Sequence, residues 1–189
     1  LDGGTHTFNV TKKDITFSGS RVYDGTTTVS SSDLVTNDTI SGETLAFSGS
    51  GTVSSANVQN NQSITIGSIA IVDGSGGGLA SNYNLTTGTF DIGQKWVSVS
   101  GQKIYDATTT VSSSDLNVTG EVAGESISIT GTGSVTDKNV GSGKTIDVSG
   151  LSLSDGSHSA SNYTIGTTSF AITRRNLSIS GEKVYDGTG

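Results

Sequence analysis

The sequence predicts an all-β protein in which two small, sandwich-like β domains follow one another along the chain. Three observations support this prediction. Apolar residues alternate with polar ones at a period of two, glycine is abundant (27 residues) while proline is absent, and a segment of about eighty residues occurs twice. No stretch places apolar residues at helical spacing over three turns. A β-grasp-like arrangement of the same strands satisfies the pattern equally well.

The predicted strands are short and half-buried. Residues 126–130 read Ser-Ile-Ser-Ile-Thr, and Val97 and Val99 alternate with serines in the same way. Leu151 and Leu153 repeat the pattern. Because only 31% of the residues are hydrophobic, we expect a thin core with one face of each strand in contact with water.

Glycine and serine mark the predicted turns. The dipeptides Asp24-Gly25, Asp73-Gly74 and Asp155-Gly156 favour turns in which the glycine has a positive φ. The segment 31–34, Ser-Ser-Asp-Leu, predicts a short helical turn, because serine or aspartate before leucine can cap one.

The internal repeat defines the domain organisation. ITFSGSRVYDG at 15–25 recurs as VSVSGQKIYDA at 97–107 and as LSISGEKVYDG at 177–187. Methionine is absent, even at position 1, and we expect the chain to be a piece of a longer array. The predicted divisions are the tail of a preceding repeat (1–12), a first repeat (13–94), a second repeat (95–175) and the start of a further repeat (176–189).

The junction between the two repeats is short. The last apolar strand residue of the first repeat is Ile92 and the first of the second repeat is Val97, with only residues 93–96 between them. No Gly/Ser-rich linker intervenes, so the sequence predicts that adjacent domains stack as a semi-rigid rod. Such a rod is typical of a stalk.

Composition disfavours several functions. The net charge of −7 argues against binding nucleic acid or an anionic membrane surface, and no apolar run is long enough to span a membrane. There is no cysteine, and His6 and His158 do not recur between repeats. We therefore predict no enzyme activity, no catalytic residues, no metal site and no cofactor.

The residues shared between repeats favour structural roles. We expect the recurring acids to build turns rather than to bind calcium. Lys103 corresponds to Arg21 and Lys144 to Gln62, so an isopeptide cross-link in every repeat is not predicted. The recurring acids are Asp24/Asp106, Asp33/Asp115, Glu43/Glu125 and Asp73/Asp155.

Tyrosine, tryptophan and threonine are the remaining residue types that could form a binding surface. The recurring tyrosines (Tyr23, Tyr105, Tyr185, Tyr83 and Tyr163) are predicted to be half-buried, each with its hydroxyl on a backbone partner. Trp96 does not recur, which leaves it packed across the junction, exposed, or acting as a sugar-stacking platform. The threonine runs at 26–28 and 108–110 are predicted to be strand residues that follow the turn rather than an ice-binding face.

An ordered series of motifs resembles the YDG repeat family. The series is Tyr-Asp-Gly/Ala before a threonine run, DKNVGSGK at 137–144, and Ser-Asn-Tyr before the closing strand. The first repeat has SANVQNNQ in place of DKNVGSGK, and Ala107 replaces the family's glycine, which argues against a strict requirement for positive φ there. The resemblance implies a large bacterial surface protein, similar to filamentous-haemagglutinin-like adhesins, with no catalytic residues.

Two functions remain open at this point. In the first, the repeats are structural stalk modules that project a distal binding region from a bacterial cell, outside the cell or secreted. In the second, each repeat itself binds a glycan or a matrix protein and gains avidity through multiplicity. The expected partners are neighbouring repeats of the same chain and an unidentified host or matrix ligand, with the fragment itself a monomer.

Overall fold

A computed structural model describes residues 7–187 and contains two compact β units. Among the described residues, the first unit runs through Lys95 and also includes the short segments Val122–Gly124 and Ser161–Thr164. The second comprises the remaining residues from Trp96 onward. Each repeat contributes eight strands. Within the described part of the chain, no helix is long and apolar enough to span a membrane.

The first repeat is built around a four-stranded mixed sheet with the order β3-β1-β8-β6. Its first and last strands, β1 and β8, are parallel neighbours at the centre, with β3 and β6 antiparallel at the edges. Two antiparallel pairs, β2-β5 and β4-β7, complete the unit. The strands are β1 (Lys13–Val22), β2 (Thr28–Ser30), β3 (Leu34–Thr36), β4 (Leu45–Ser48), β5 (Ser50–Thr52), β6 (Gln59–Ser63), β7 (Ala70–Asp73) and β8 (Tyr83–Gly93).

The second repeat has the same sheet order, β11-β9-β16-β13. Its remaining strands form a layer in which β12 pairs with β10, β14 and β15. The strands are β9 (Lys95–Ile104), β10 (Thr110–Ser112), β11 (Leu116–Thr119), β12 (Ile127–Val135), β13 (Gly141–Lys144), β14 (Ile146–Asp147), β15 (Leu151–Asp155) and β16 (Tyr163–Thr173).

The core of the second repeat lies between these two layers. Val99 of β9 and Phe170 and Ile172 of β16 pack against Val111 and Ile146 of the other layer. The fold is therefore two-layered, as in a sandwich, but its main sheet in the first repeat has the central parallel pair of a β-grasp-like arrangement. The all-β tandem prediction is confirmed.

The predicted strand patterns are confirmed in detail. Val97 and Val99 are each 1% exposed while the serines between and after them face solvent, and Ile127 is buried. The predicted helical turn is present as a 3₁₀ turn at Ser31–Asp33, and an equivalent turn occurs at Ser113–Asp115.

The Asp-Gly prediction holds at one position and is wrong at two. Gly25 has φ 78°, as predicted. Gly74 and Gly156 do not have positive φ; they are required for close approach instead. A Cβ on Gly74 would lie 2.1 Å from the Thr44 carbonyl oxygen, and one on Gly156 would lie 2.5 Å from that of Ser126. Neither contact can be relieved by side-chain movement, since the neighbour is backbone.

The threonine runs are strand residues only at their ends. Strand β2 begins at Thr28 and β10 begins at Thr110, whereas the two threonines before each belong to the preceding loop. The reason is that the aspartate of the Tyr-Asp-Gly/Ala motif binds the first threonine of each run and holds it in the turn.

Candidate functional site

The turn that follows Tyr23 and Tyr105 is organised by an aspartate. Asp24 Oδ1 accepts hydrogen bonds from the Thr26 amide at 2.9 Å and from the Thr26 hydroxyl at 3.0 Å. In the second repeat Asp106 Oδ1 accepts from the Thr108 amide and hydroxyl, both at 2.9 Å. This is the Asx turn that aspartate favours, because its short side chain reaches the amide two residues ahead.

The third residue of the motif is left-handed in every copy. Gly25 and Gly187 have φ 78°, and Ala107 has φ 67°. The expectation drawn from Ala107, that positive φ is not required here, is wrong. The turn imposes the left-handed conformation and the alanine adopts it despite the steric cost of its Cβ.

A basic side chain two residues before each tyrosine completes the turn, and we call this arrangement the basic clasp. In the second repeat Lys103 Nζ donates to the carbonyl oxygens of Thr110 at 2.6 Å and Thr108 at 3.1 Å, and to the Thr108 hydroxyl at 2.9 Å. It also lies 3.0 Å from Asp106 Oδ1. The Lys103 side chain is only 7% exposed, so its charge is satisfied by the loop that it organises.

Arginine forms the same clasp in the first repeat. The Arg21 guanidinium donates to the carbonyl oxygens of Thr26 and Thr28, and its Nε lies 3.2 Å from Asp24 Oδ1. Its Cζ lies 5.4 Å from the centre of the Phe90 ring, within range of a cation–π interaction. Lys183, at the matching position further along, pairs with its own aspartate in the same way.

The clasp explains the electrostatics of the motif. Backbone hydrogen bonding from Thr108, followed by the Lys103 ammonium and the Thr108 hydroxyl, lowers the pKa of Asp106 from 3.8 to about 2. The Lys103 ammonium donates its N–H groups to loop oxygens of Thr108 and Thr110 and to Asp106. A basic residue at this position in all three copies was the available signal. Comparing Lys103 with Arg21 only as a cross-link partner misses this shared basic position.

Other recurring acids also bind backbone amides, as predicted. Asp73 Oδ1 accepts from the Ala80 amide at 2.8 Å, and Asp155 Oδ1 accepts from the Ala160 amide at 2.7 Å. Asp33 and its counterpart lie in the 3₁₀ turns. Across residues 7–187, no three His, Cys, Asp or Glu side chains come together as a metal site would require.

Two tyrosines reach loop amides through their hydroxyls. The Tyr83 hydroxyl accepts from the Ile40 amide at 3.2 Å and donates to the Glu43 carboxylate, which raises the pKa of Tyr83. An open cavity of about 330 Å³ lies beside this ring, lined in part by Ser81 and Asn82. The Tyr163 hydroxyl accepts from the Val122 amide at 3.1 Å. The predicted backbone partner of the hydroxyl is confirmed for these two tyrosines, but their rings are each 2% exposed and therefore fully buried rather than half-buried. The prediction is wrong for Tyr185, which is 90% exposed.

The segment 161–164 is an integral part of the first compact unit. Asn162 is 1% exposed; its Oδ1 accepts from the Val58 amide at 2.9 Å and its Nδ2 donates to Asn57 Oδ1 at 3.0 Å. The Tyr163 ring packs edge-on against Tyr23, with ring centres 5.4 Å apart. The Ser-Asn-Tyr tripeptide is visible as a motif in the sequence, but no role was predicted for its asparagine.

Trp96 is exposed rather than packed. The residue is 76% accessible to solvent. It lies over Gly166, where an added Cβ would be 3.1 Å from the Trp96 Cβ. The hydroxyls of Ser98 and Thr167 form a hydrogen bond of 2.7 Å within the same repeat. A flat aromatic face over a glycine can stack on an apolar face of a ligand.

Histidine contributes no recurring chemistry. His158 is exposed, as predicted, with Nδ1 3.0 Å from Ser157 Oγ and Nε2 3.9 Å from Glu125. Thr44 and Ser75 make the corresponding loop contact in the first repeat, at 2.9 Å and without a histidine. The serine at this position therefore makes the loop contact whether or not a histidine follows it. His6 lies outside the described residues.

Comparison with known proteins identifies one family. The model of the YDG domain matches the chain twice, over residues 6–90 and 95–170. No curated protein and no solved structure matches the chain. Both matches include the Tyr-Asp-Gly/Ala turn with its basic clasp and most of the strands of one four-stranded sheet. The chain belongs to the YDG domain family, with two copies of the domain in tandem.

Proposed function

We propose that these repeats are structural stalk modules of a bacterial cell-surface adhesin, which carry a distal binding region away from the cell. The proposal includes an extracellular location, either at the cell surface or secreted. It rests on the family resemblance and on the tandem arrangement of the domain.

One observation supports the proposal above all: the recurring polar side chains are used by the domain's own backbone. Lys103 and Asp106 are bound to the loop around them, and Asp73 and Asp155 bind the amides of the segment that leads into β8 and β16. A side chain that recurs because it holds a turn contributes to rigidity rather than to ligand recognition. A module selected as a spacer is expected to show this pattern.

Small-angle scattering with and without calcium tests the mechanical part of the proposal. We expect identical curves in both conditions, because the recurring carboxylates accept hydrogen bonds from amides and do not converge. A scattering curve that changes when calcium is added would contradict this account of the acids and would support a metal-dependent hinge.

A second function is favoured by Trp96. Its indole is 76% exposed above Gly166, and the Ser98–Thr167 hydroxyl pair lies in the same repeat, which is the chemistry that a sugar ring requires. Solid-phase binding to glycans and matrix proteins, compared between the native chain and Trp96→Ala, separates the two functions. The stalk proposal expects no binding by either protein, whereas binding that is lost in Trp96→Ala would establish the second function.

A further inference from the structure

Loop 137–140 and Tyr105 match three positions that are already occupied in the first unit. There, Tyr23, Asn57 and Val58 contact the segment 161–164. An offset of 82 residues relates them to Tyr105, Asn139 and Val140. We propose that these three residues form a receptor for the Ser-Asn-Tyr segment of a further copy of this repeat. The inference refines the proposed stalk function by naming how one repeat recognises the next.

The receptor loop already has the required conformation. In the first unit the Asn57 amide donates to Ser55 Oγ at 3.1 Å, which turns the loop so that the Val58 amide meets Asn162. In the second repeat the Asn139 amide donates to Asp137 Oδ1 at 2.8 Å, the same contact at the same position. Lys144 Nζ lies 2.8 Å from that carboxylate and fixes it. Binding therefore requires no rearrangement of the loop.

Two of the three receptor residues are more exposed in the second repeat than their counterparts in the first. Tyr23 is 3% exposed, whereas Tyr105 is half-buried. Val58 is half-buried, whereas Val140 is 48% exposed. Burial of an apolar side chain is favourable, so covering Val140 with a partner would stabilise the bound state.

The first repeat carries the same Ser-Asn-Tyr segment at 81–83, and its asparagine is exposed to solvent. Asn82 is exposed, while its counterpart Asn162 is 1% exposed. Beside Tyr83 lies the cavity of about 330 Å³, where the counterpart of Tyr23 would pack as Tyr23 packs on Tyr163. Among residues 7–187, Tyr105, Asn139 and Val140 thus match a set that contacts a Ser-Asn-Tyr segment, and Asn82 is the exposed counterpart of the buried Asn162, while the Tyr83 ring itself is 2% exposed.

Single cysteines test the proposal cleanly, because the chain contains none of its own. Val140→Cys is made in the native chain and in a chain extended after residue 175 by a second copy of residues 96–175. We expect a maleimide to label the extended chain at least roughly tenfold more slowly, a factor that corresponds to about 1.4 kcal/mol, or one to two net hydrogen bonds. Asn162→Ala made in the added copy restores fast labelling.

Matched controls use the receptor that is already filled. Val58→Cys labels slowly in the native chain and faster when combined with Asn162→Ala, whereas Asn82→Ala leaves its rate unchanged. Amide hydrogen exchange at Val140, measured without any cysteine, slows in the extended chain. Equal labelling and exchange rates at position 140 in the two chains overturn the proposal. They would leave the stalk function untouched, since that function is tested by scattering and ligand binding instead.

Discussion

Replacing Ala107 by glycine tests the physical reading of the Tyr-Asp-Gly/Ala turn. Ala107 has φ 67°, the left-handed conformation that its Cβ disfavours. Asp106 and Lys103 bind the threonines on the far side of this residue and hold it there. Since Gly25 occupies the same position in the first repeat at φ 78°, glycine fits the turn without rearrangement. We expect Ala107→Gly to stabilise the second repeat.

Two opposing terms set the size of the effect. Relief of the left-handed strain favours glycine by about 1–2 kcal/mol. The greater conformational entropy of glycine in the unfolded chain costs about 0.4–1 kcal/mol. The net gain in the free energy of unfolding is therefore about 0.5–1 kcal/mol. For a domain of about eighty residues, that gain raises the Tm by roughly 2–8 °C.

Differential scanning calorimetry measures the shift, with Gly25→Ala as the reciprocal variant. The reciprocal change introduces the same strain in the first repeat and is expected to lower its Tm. A lower Tm for Ala107→Gly would contradict this prediction, because it would mean that the alanine methyl group stabilises the fold through packing by more than the left-handed backbone conformation costs.

Three further predictions concern the clasp and the tyrosine contact. Lys103→Met leaves the Thr110 carbonyl without its charged donor. We expect urea denaturation to show a free energy of unfolding that is lower by about 2–3 kcal/mol. Lys103→Arg should be tolerated, because Arg21 makes the same clasp in the first repeat. The pKa of Asp106 is lowered from 3.8 to about 2. The stabilisation that this carboxylate provides is therefore complete above its unfolded pKa and is lost as the pH falls from about 4 to 2. In a plot of the urea midpoint against pH, Asp106→Asn should flatten the curve over that range. The hydrogen bond to Glu43 raises the pKa of Tyr83, so the stabilisation from this group is present below the usual tyrosine range and is lost as the pH rises above it. Absorbance titration of Tyr83→Phe should lack a late-ionising phase that the native chain shows.

The sequence predicted local structure well where the signal is local. The alternation around Val97 and Val99 identified a half-buried strand because side chains of a strand alternate between its faces. The Ser31–Asp33 turn was predicted from serine and aspartate before leucine, and the turn is present although Ser30 makes no side-chain cap hydrogen bond. In the equivalent turn the Ser112 side chain accepts from the Ser114 amide. Gly74 and Gly156 were misinterpreted, because what they avoid is the backbone of Thr44 and Ser126, about thirty residues away.

The candidate sites show the same limit. The acid at Asp106 was predicted to build a turn because its partner, Thr108, lies two residues ahead. The role of Lys103 was missed, since its acceptors are backbone carbonyls that composition and motif comparison do not display. The role of Asn162 was missed for a stronger reason: its partners lie more than one hundred residues earlier in the chain.

The β class, the repeat of about eighty residues and the family can be predicted from the sequence alone, because spacing and residue type along the chain carry each of them. The parallel pairing of β1 with β8, the left-handed conformation of Ala107 and the burial of Asn162 are visible only in the folded structure. Those features depend on backbone groups that meet after folding, and a backbone group has the same chemistry at every position until the fold brings a particular partner to it.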